Sequence, residues 1–279
     1  MATIDQHDKA VRSRQGRRQE PDGRHEAQGT GIIPTETVGI PVHASPRIDD
    51  IVALVASSAE QGDRPFLVTF VNPGAVALAE RDPSYRAALA RFDLVLPDGI
   101  GMAKAVEWVQ QVPATRISFD TTSLAPPVLH LAQQRGHPVA LVGGKPGVAQ
   151  RACERLTQNF PGLVIAAALD GYGDPAEKAK QVHAASAKIV ICCMGGGAQE
   201  QFLLHLADRG WVGCGFTCGG YFDQLADGMN YYPRWIDAAN LRWAYRLYRE
   251  PRRLGYRYLV DYSHFGLRLA SSLLQPKRP

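Results

Sequence analysis

Asp98 is the side chain whose surroundings in this sequence most clearly suggest chemistry. It lies in the run 93–100, DLVLPDGI, where an apolar strand over 93–96 leads into proline, aspartate and glycine. A helix is predicted to follow over 101–109. A strand, a glycine turn and a helix in this order place the turn residue at the carboxyl edge of a sheet in α/β proteins. The Asp98 carboxylate could act there as a base, or it could be a helix N-cap without chemistry.

Two glycine-rich loops also follow predicted strands, VGGKPG at 142–147 and MGGGAQE at 194–200. Glycines at such turns let backbone amides approach a phosphate, and the start of the next helix favours an anion. Tight turns alone would also explain either loop, but two loops on one sheet edge favour a phosphate or nucleotide site. The candidate residues are Gly143, Gly144, Gly195 and Gly196. Neither loop matches the dinucleotide fingerprint or a Walker loop, so an NAD-dependent oxidoreductase or an NTPase is disfavoured.

Asn72 and Gln199 are two further polar residues at strand-to-helix junctions. Asn72 ends a predicted strand over 67–71 and precedes Pro-Gly, a position where asparagine often serves as a turn residue. Gln199 and Glu200 lie in the first turn of a predicted helix, where Glu200 could simply complement the helix dipole. Residue type and spacing leave both the structural and the functional interpretation open.

The predicted elements indicate an α/β fold. Apolar strands alternate regularly with helices from Ile48 onward, which predicts a mostly parallel sheet covered by helices on both faces. Residues 1–45 are polar and poor in large apolar side chains, so they are predicted to be a disordered tail. The core is predicted over 46–230, and a helical appendage over 231–279.

Positive charge is concentrated in the appendage. The chain has a net charge of +4, but residues 232–279 contain ten Lys or Arg and only three acidic residues. Arginines interleave with Trp, Tyr and Leu over 235–265, a pattern typical of a helix at an anionic membrane surface or of an arginine set that holds a pyrophosphate. A solvated helical face is the simpler alternative. No base-reading motif accompanies the charge, so nucleic acid is not an expected partner.

The cysteines and the hydropathy limit the remaining classes. The five cysteines are odd in number and two are adjacent in an apolar run, which predicts buried thiols in a reducing compartment. Their spacing, including the interval from Cys214 to Cys218, does not match a metal site. No apolar run is long enough to cross a bilayer, and the N-terminus lacks the apolar region of a signal peptide.

An ordered set of motifs over roughly 48–265 resembles the WecG/TagA/CpsF family of bacterial glycosyltransferases, glycosyltransferase family 26. The motifs are FVN at 70–72, PDGIG at 97–101, Arg116, GGKPGVA at 143–149, FPGL at 160–163, GY at 171–172, GGGAQE at 195–200, GGYFD at 219–223 and LRWAYRLYREPR at 241–252. Each motif alone is weak, but their common order along the chain is specific.

The resemblance implies a Rossmann-like single domain with a C-terminal helical appendage. It also implies an enzyme on the cytoplasmic face of the membrane. Such enzymes transfer a sugar from a UDP-sugar to a polyprenyl-pyrophosphate-linked saccharide, with inversion at the anomeric carbon and without a metal or other cofactor. It also implies the site residues. Asp98 would be the base, and Asn72 a second catalytic residue on the acceptor side or in donor positioning. Gln199 and Arg116 would bind the donor or a pyrophosphate, and Arg246, Arg252 and Arg253 would meet the pyrophosphate. The expected partners are the UDP-sugar, the lipid-linked acceptor and an anionic membrane surface, and association with a second copy of the chain stays open.

The sequence departs from the family pattern near the expected substrate-binding motifs. Phe70 replaces a threonine, and Gly197-Ala198 replaces Pro-Lys, whereas the segment 117–121 has no clear counterpart. These changes favour a glucosyltransferase of exopolysaccharide assembly, the xanthan type, while an N-acetylmannosamine donor stays open. The alternative is a catalytically decayed subunit that binds nucleotide sugars within a polysaccharide assembly complex.

Overall fold

The structure is a computed structural model. It describes residues 31–274 apart from 46, 229–232, 234, 237–238, 240 and 250, and the side chains at 252–254 and 256–257 are also outside the described part. The predicted tail over 1–30 lies outside the described residues.

The described elements alternate between strands and helices for most of the chain. The strands are β1 Ile33–Thr37, β2 Ile40–Ala44, β3 Phe66–Val71, β4 Leu94–Pro97, β5 Val139–Gly143, β6 Ile165–Leu169, β7 Ile189–Cys193 and β8 Cys214–Thr217. The helices are α1 Ile48–Gln61, α2 Pro73–Arg81, α3 Pro83–Leu89, α4 Ile100–Gln110, α5 Ala125–Arg135, α6 Val148–Asn159, α7 Pro175–Ala184, α8 Ala198–Asp208, α9 Tyr221–Asp227, α10 Arg242–Arg249 and α11 Pro251–Leu274.

Strands β3 to β8 form one six-stranded sheet in the order β4-β3-β8-β7-β5-β6. All of its neighbouring pairs are parallel. Parallel pairing requires a crossover connection between consecutive strands, and the helices supply it. The predicted α/β class, with a mostly parallel sheet and a C-terminal helical appendage, is confirmed.

Side chains alternate between two apolar cores, one on each face of the sheet. In β5, Val139 and Leu141 point into the core shared with α1, α5, α6 and α9. Ala140 and Val142 point into the opposite core, which includes side chains from α2, α3, α4, α7 and α8. Strands buried on both faces read as continuous apolar runs, which explains why they were recognisable in the sequence.

The prediction of a disordered tail through residue 45 is wrong for residues 33–44. Strands β1 and β2 form an antiparallel hairpin that turns at Val38 and Gly39, with φ of 50° and 83°. Two positive φ values are typical of a two-residue hairpin turn, but valine rarely adopts one. Val38 is buried in the core, and this burial offsets the backbone cost. The turn therefore has an unusual sequence, and the polar residues around it concealed the strands.

The hairpin lies beside β4, which is an edge strand of the large sheet. The N–H of Val95 in β4 donates to His43 Nδ1 in β2 over 3.0 Å. The N–H of Thr115 donates to the carbonyl of Ser45 over 2.9 Å, and Gln110 Nε2 donates to the carbonyl of Glu36 over 2.7 Å. The hairpin is therefore joined to the core by hydrogen bonds at both of its strands.

The C-terminal helix α11 packs against α2. Asp261 pairs with Arg81, His264 Nε2 lies 3.0 Å from Glu80 Oε2, and Phe265 is buried in the core. Although α11 has 24 residues, no helix in the described part of the chain is both long and apolar enough to cross a bilayer.

Gly143, at the end of β5, is held where the backbones of β5 and β7 approach closely. Its φ is +138°, and a Cβ at this position would lie 2.2 Å from the carbonyl oxygen of Cys193. Gly136 also has a positive φ, of +63°, but a Cβ there would meet no described atom within 4 Å. The two glycines therefore separate the cost of the backbone conformation from the cost of a steric clash.

We expect Gly143→Ala to lower the free energy of unfolding by about 3 kcal/mol or more, because strain and overlap with the Cys193 backbone act together. Gly136→Ala is the matched control and should cost only about 1 kcal/mol, since it adds conformational strain alone. Urea denaturation followed by circular dichroism measures both. Equal effects of the two substitutions would show that the β5–β7 approach is not tight.

Candidate active site

A cleft of about 1060 Å³ lies at the carboxyl edge of the sheet. The predicted site residues that line it are Asn72, Asp98, Arg116, Gly144, Gly195, Gly196, Gln199 and Arg246. The sheet and the C-terminal helices thus bring together most of the side chains and loops that the sequence suggested. The side chains of Arg252 and Arg253 lie outside the described residues.

Strand order fixes the order of these groups along the cleft. Asp98 follows β4, Asn72 follows β3, Gly219 follows β8 and Gly195 follows β7. Neighbouring strands are about 4.8 Å apart, so the ends of β4 and β7 are separated by roughly 14 Å. The carboxylate and the glycine loops therefore lie on the same edge but are not adjacent.

Asp98 does not cap the helix that follows it. Helix α4 begins at Ile100, its N-cap is Gly99, and no side chain caps it. The N–H of Asp98 donates to the carbonyl of Val71 over 2.8 Å, which fixes its backbone against β3. The hydroxyl of Ser118 donates to Asp98 Oδ1. The half-buried carboxylate is thus oriented by a neutral donor, as a general base would need to be.

Asn72 is a capping residue in this structure. Its Oδ1 accepts from the N–H of Gly74 over 3.0 Å at the start of α2, where Pro73 occupies the first helical position. This contact agrees with the turn role considered for Asn72, and the residue also lines the cleft. A part in substrate positioning stays a prediction.

The loop after β7 is suited to hold an anion. Gly195 has a φ of +83°, and the N–H of Gly197 donates to Glu200 Oε2 over 2.7 Å. The N–H groups of Gly195 and Gly196 have no hydrogen-bond partner among the described residues. Both glycines lie just before Gly197, the N-cap of the 11-residue helix α8, where free amides and the helix dipole favour negative charge.

In the loop after β5, by contrast, the glycines take part in backbone contacts within the protein. The N–H of Gly144 donates to the carbonyl of Cys193 over 2.8 Å, and the carbonyl of Gly144 accepts from Gly171 over 2.9 Å. Gly143 is not part of the cleft lining. Close strand approach alone explains this glycine, and a phosphate-binding role for Gly143 stays a prediction. Gly144 lines the cleft, but its N–H is already used.

Glu200 is a fully buried carboxylate beside the cleft. It accepts hydrogen bonds from Thr69 Oγ1 over 2.8 Å, from Gln199 Nε2 over 3.1 Å and from the N–H of Gly197. Gln199 Oε1 in turn accepts from the N–H of Gly219 over 3.3 Å, so Gln199 joins the loops after β7 and β8. Burial raises the pKa of Glu200, while the hydrogen bonds from Gln199 and Thr69 act in the opposite direction.

The segment 116–120, RISFD, contributes three polar residues to the cleft. Ile117 and Phe119 belong to the apolar core, and Arg116, Ser118 and Asp120 line the cleft together with Phe119. The N–H of Ile117 donates to the carbonyl of Pro97 over 3.0 Å, which places the segment beside the end of β4. Strict alternation of polar and apolar residues is the sequence signal that could have revealed this arrangement.

The C-terminal helices supply one wall of the cleft. A Cβ atom added to Gly220 would lie 3.5 Å from Arg246 Nη2. Arg246 therefore lies beside the loop after β8. The cleft is also lined by Trp243, Tyr258 and Tyr262. None of these three aromatic residues was predicted from the sequence to be a site residue. The rings of Tyr258 and Tyr262 are 4.4 Å apart.

The cysteines are free, and Cys192, Cys193 and Cys214 are buried, as predicted. Burial raises the pKa of Cys214 to about 12, so its thiol is a poor nucleophile. Within the described ranges, no group of three or more His, Cys, Asp or Glu residues could hold a metal ion. Metal independence of a reaction at this site stays a prediction.

The sequence of this chain is similar to those of known glycosyltransferases. A family model described as "Glycosyl transferase WecG/TagA/CpsF family" matches residues 35–279. A Shigella boydii protein named UDP-Gal:alpha-D-GlcNAc-diphosphoundecaprenol beta-1,4-galactosyltransferase is 31% identical over 75% of this chain and 87% of its own length. A Bacillus spizizenii protein named N-acetylglucosaminyldiphosphoundecaprenol N-acetyl-beta-D-mannosaminyltransferase is 32% identical over 70% of this chain and 75% of its own length. A Bacillus subtilis protein with the same name is 28% identical over 67% of this chain and 73% of its own length.

The raised pKa of Glu200 predicts a pH-dependent effect of Glu200→Gln. A carboxyl group whose folded-state pKa lies above its unfolded value of 4.5 stabilises the fold most below pH 4.5, and this contribution is lost as pH rises through the folded pKa. The stability of the glutamine variant relative to the native protein should therefore improve from pH 4.5 to pH 7. Urea denaturation at several pH values measures this change.

The relative stability of Glu200→Gln would instead fall with increasing pH if the donors from Gln199, Thr69 and Gly197 dominated over burial. Glu177→Gln is a suitable control, because Glu177 is exposed on α7 and its pairing with Lys180 is a surface contact. That control should show little change over the same pH range.

Proposed function

Because this chain belongs to the WecG/TagA/CpsF family of glycosyltransferases, we propose that it transfers a hexose or N-acetylhexosamine from a UDP-sugar to a polyprenyl-diphosphate-linked saccharide. One observation carries the proposal. Asp98 is not used as a helix cap, and its carboxylate lines the same cleft as the unpaired amides of Gly195 and Gly196. A base and a diphosphate cradle at one edge of a sheet are what a displacement reaction on a nucleotide sugar requires.

The proposed reaction is a single displacement at the anomeric carbon. The acceptor hydroxyl oxygen forms a bond to that carbon while the bond from the carbon to the β-phosphate oxygen of UDP breaks. The proton of the hydroxyl passes to the Asp98 carboxylate, and the bonding electron pair leaves with UDP. The Ser118 hydroxyl, which donates to Asp98 Oδ1, orients the carboxylate for this transfer.

The departing diphosphate gains negative charge as the bond breaks. The amides of Gly195 and Gly196, the dipole of α8 and the nearby Arg246 guanidinium would stabilise that charge without reorganisation. Gln199 acts indirectly here, since its side chain links the loops after β7 and β8 through Glu200 and Gly219. These fixed donors support a reaction that proceeds without a metal ion.

The names of the relatives support inversion and restrict the donor. The Shigella relative is named as a β-1,4-galactosyltransferase that uses UDP-galactose, in which the sugar is α-linked, so its reaction inverts the anomeric centre. The two Bacillus relatives are named as transferases of N-acetyl-β-mannosamine. We therefore propose an inverting reaction, with UDP-glucose, UDP-galactose and UDP-N-acetylmannosamine as the donors to compare.

The direct test combines each donor with a polyprenyl-diphosphate-linked N-acetylglucosamine and follows the lipid product by mass spectrometry. Native protein should extend the acceptor by one sugar in the presence of EDTA. Asp98→Asn should bind UDP within about twofold of the native affinity but lose about 100- to 10,000-fold in kcat, the range for removal of a general base.

Asp82→Asn is the matched control, because Asp82 is an exposed cap of α3 that does not line the cleft and asparagine caps equally well. Its kcat should equal that of the native protein. Native-like turnover of Asp98→Asn would refute the base assignment. Native protein that binds UDP but forms no product with any donor would favour the alternative of a catalytically decayed nucleotide-sugar-binding subunit.

We further propose that the enzyme works at the cytoplasmic face of the membrane, where a polyprenyl-linked acceptor resides, and that α11 contacts the lipid. Leu259, Leu267 and Leu274 on α11 are 74%, 70% and 84% exposed. Their spacing places them on one side of the helix, opposite the side that carries the buried Phe265. Exposed leucines on a helix within a positively charged segment are typical of interfacial binding.

The double variant Leu259→Ser/Leu267→Ser should bind vesicles that contain phosphatidylglycerol about tenfold less tightly or worse, since each buried leucine contributes on the order of 1 kcal/mol. Co-sedimentation with vesicles measures the change. Val164→Ser, at a residue that is 48% exposed and precedes β6, is the control and should bind as the native protein does. Unaltered vesicle binding by the double variant would show that another surface of the protein contacts the membrane.

A further inference from the structure

Asp120 forms a contact between the core and the C-terminal helices at the rim of the cleft. Its Oδ2 accepts from Arg116 Nη2, which belongs to the same segment, and from Arg242 Nη1 over 2.9 Å. Arg242 is the first residue of α10 and lies 122 positions away in the sequence. One carboxylate thus holds two guanidinium groups from two different parts of the chain.

The other oxygen of Asp120 is also fully engaged. Oδ1 accepts from the N–H and from the hydroxyl of Thr122, each over 2.9 Å. The Thr122 hydroxyl in turn accepts from Arg242 Nη2. Arg242 is therefore held by Asp120 and Thr122 together, in a forked arrangement that a lysine could not reproduce.

This group of charges is largely shielded from solvent. The side chains of Arg116, Asp120 and Arg242 are 24%, 13% and 17% exposed, respectively. Arg116 and Arg242 both line the cleft, so two guanidinium groups share one stretch of its wall. Shielded guanidinium groups are suited to bind a phosphate group.

The arginine pair, Arg116 and Arg242, lies apart from the glycine loops. Ser118, between Arg116 and Asp120, donates to Asp98, so the pair lies beside the proposed base at the end of β4. The amides of Gly195 and Gly196 lie three strands away in the sheet order, at roughly 14 Å. If the donor diphosphate occupies those amides, the arginine pair lies on the acceptor side of the reacting carbon.

We propose that Asp120 is a positioning residue that holds Arg116 and Arg242 in place to bind the diphosphate of the lipid-linked acceptor. This inference rests on the proposed function. In a polyprenyl-diphosphate-linked monosaccharide, the sugar that presents the attacking hydroxyl also carries the diphosphate, so an anchor beside Asp98 would place that hydroxyl at the base. Asp120 itself touches neither substrate in this arrangement and acts through the two arginines.

The test compares two soluble diphosphates as ligands of the full chain. UDP probes the donor site, and farnesyl diphosphate probes the acceptor site, each by isothermal titration calorimetry. Asp120→Asn should weaken binding of farnesyl diphosphate about tenfold or more, because a carboxylate that orients two guanidinium groups is lost, and should leave UDP binding within about twofold. In transfer assays the same variant should raise the KM for the acceptor more than it lowers kcat.

Asp261→Asn is the matched control. Asp261 also pairs an acidic residue with an arginine between the C-terminal helices and the core, and its side chain is 14% exposed, but neither it nor Arg81 lines the cleft. This variant should bind both ligands within about twofold of the native protein if orientation of the arginines, rather than docking of the helices, is what matters.

Two further variants keep the test decisive. Thr122→Val removes only a hydroxyl from the network and should weaken the binding of farnesyl diphosphate about threefold. This variant replaces Asp120→Asn in the test if Asp120→Asn fails to unfold cooperatively. Asp120→Asn should weaken the binding of farnesyl diphosphate less in an Arg242→Gln background than in the native background. The reason is that one of the two arginines that Asp120 orients is already gone.

Equal loss of UDP and farnesyl diphosphate affinity in Asp120→Asn would overturn the assignment to the acceptor. An unchanged affinity for farnesyl diphosphate, or the same loss in Asp261→Asn, would overturn the positioning role. Failure of the proposed function would appear separately, as native protein that binds both diphosphates but forms no lipid-linked product.

Discussion

The cleft depends on one geometric constraint, which is that six parallel strands end at the same edge of a sheet. Their order, β4-β3-β8-β7-β5-β6, is set by pairing and buried side chains on both faces. Once it is fixed, Asp98, Asn72 and the loops after β7 and β8 must line up along that edge. The chemistry of the site therefore inherits its spacing from backbone hydrogen bonds far from any substrate.

Within that frame, buried polar contacts determine the orientation of individual groups. Glu200 is wholly buried, yet it joins Thr69, Gln199 and the amide of Gly197, so the loop after β7 is fixed in relation to β3. Asp120 plays a comparable part at the opposite end, where it joins the core to α10. Both carboxylates are satisfied by several donors, which is the condition under which a buried charge is tolerated.

The sequence was sufficient to predict the sheet and the position of Asp98 at its carboxyl edge, because continuous apolar runs and a strand-glycine-helix junction are local signals. It could not reveal the structural role of Gly143, since a glycine needed for close strand approach looks the same in sequence as one that binds a phosphate. It missed the hairpin because Val38 occupies a turn position that valine rarely adopts. The contact between Asp120 and Arg242 joins residues far apart in the chain, and no periodicity or motif encodes such a pair.

The hairpin has a further consequence for how copies of this protein behave in solution. Strand β4 lies at one margin of the sheet, and His43 accepts the outward N–H of Val95 that would otherwise be open to another chain. Unpaired margins of sheets invite intermolecular strand pairing and aggregation. Residues 33–44 thus protect the molecule from polymerising through this side, and a shorter protein that begins after them would be prone to precipitate even with its cleft intact.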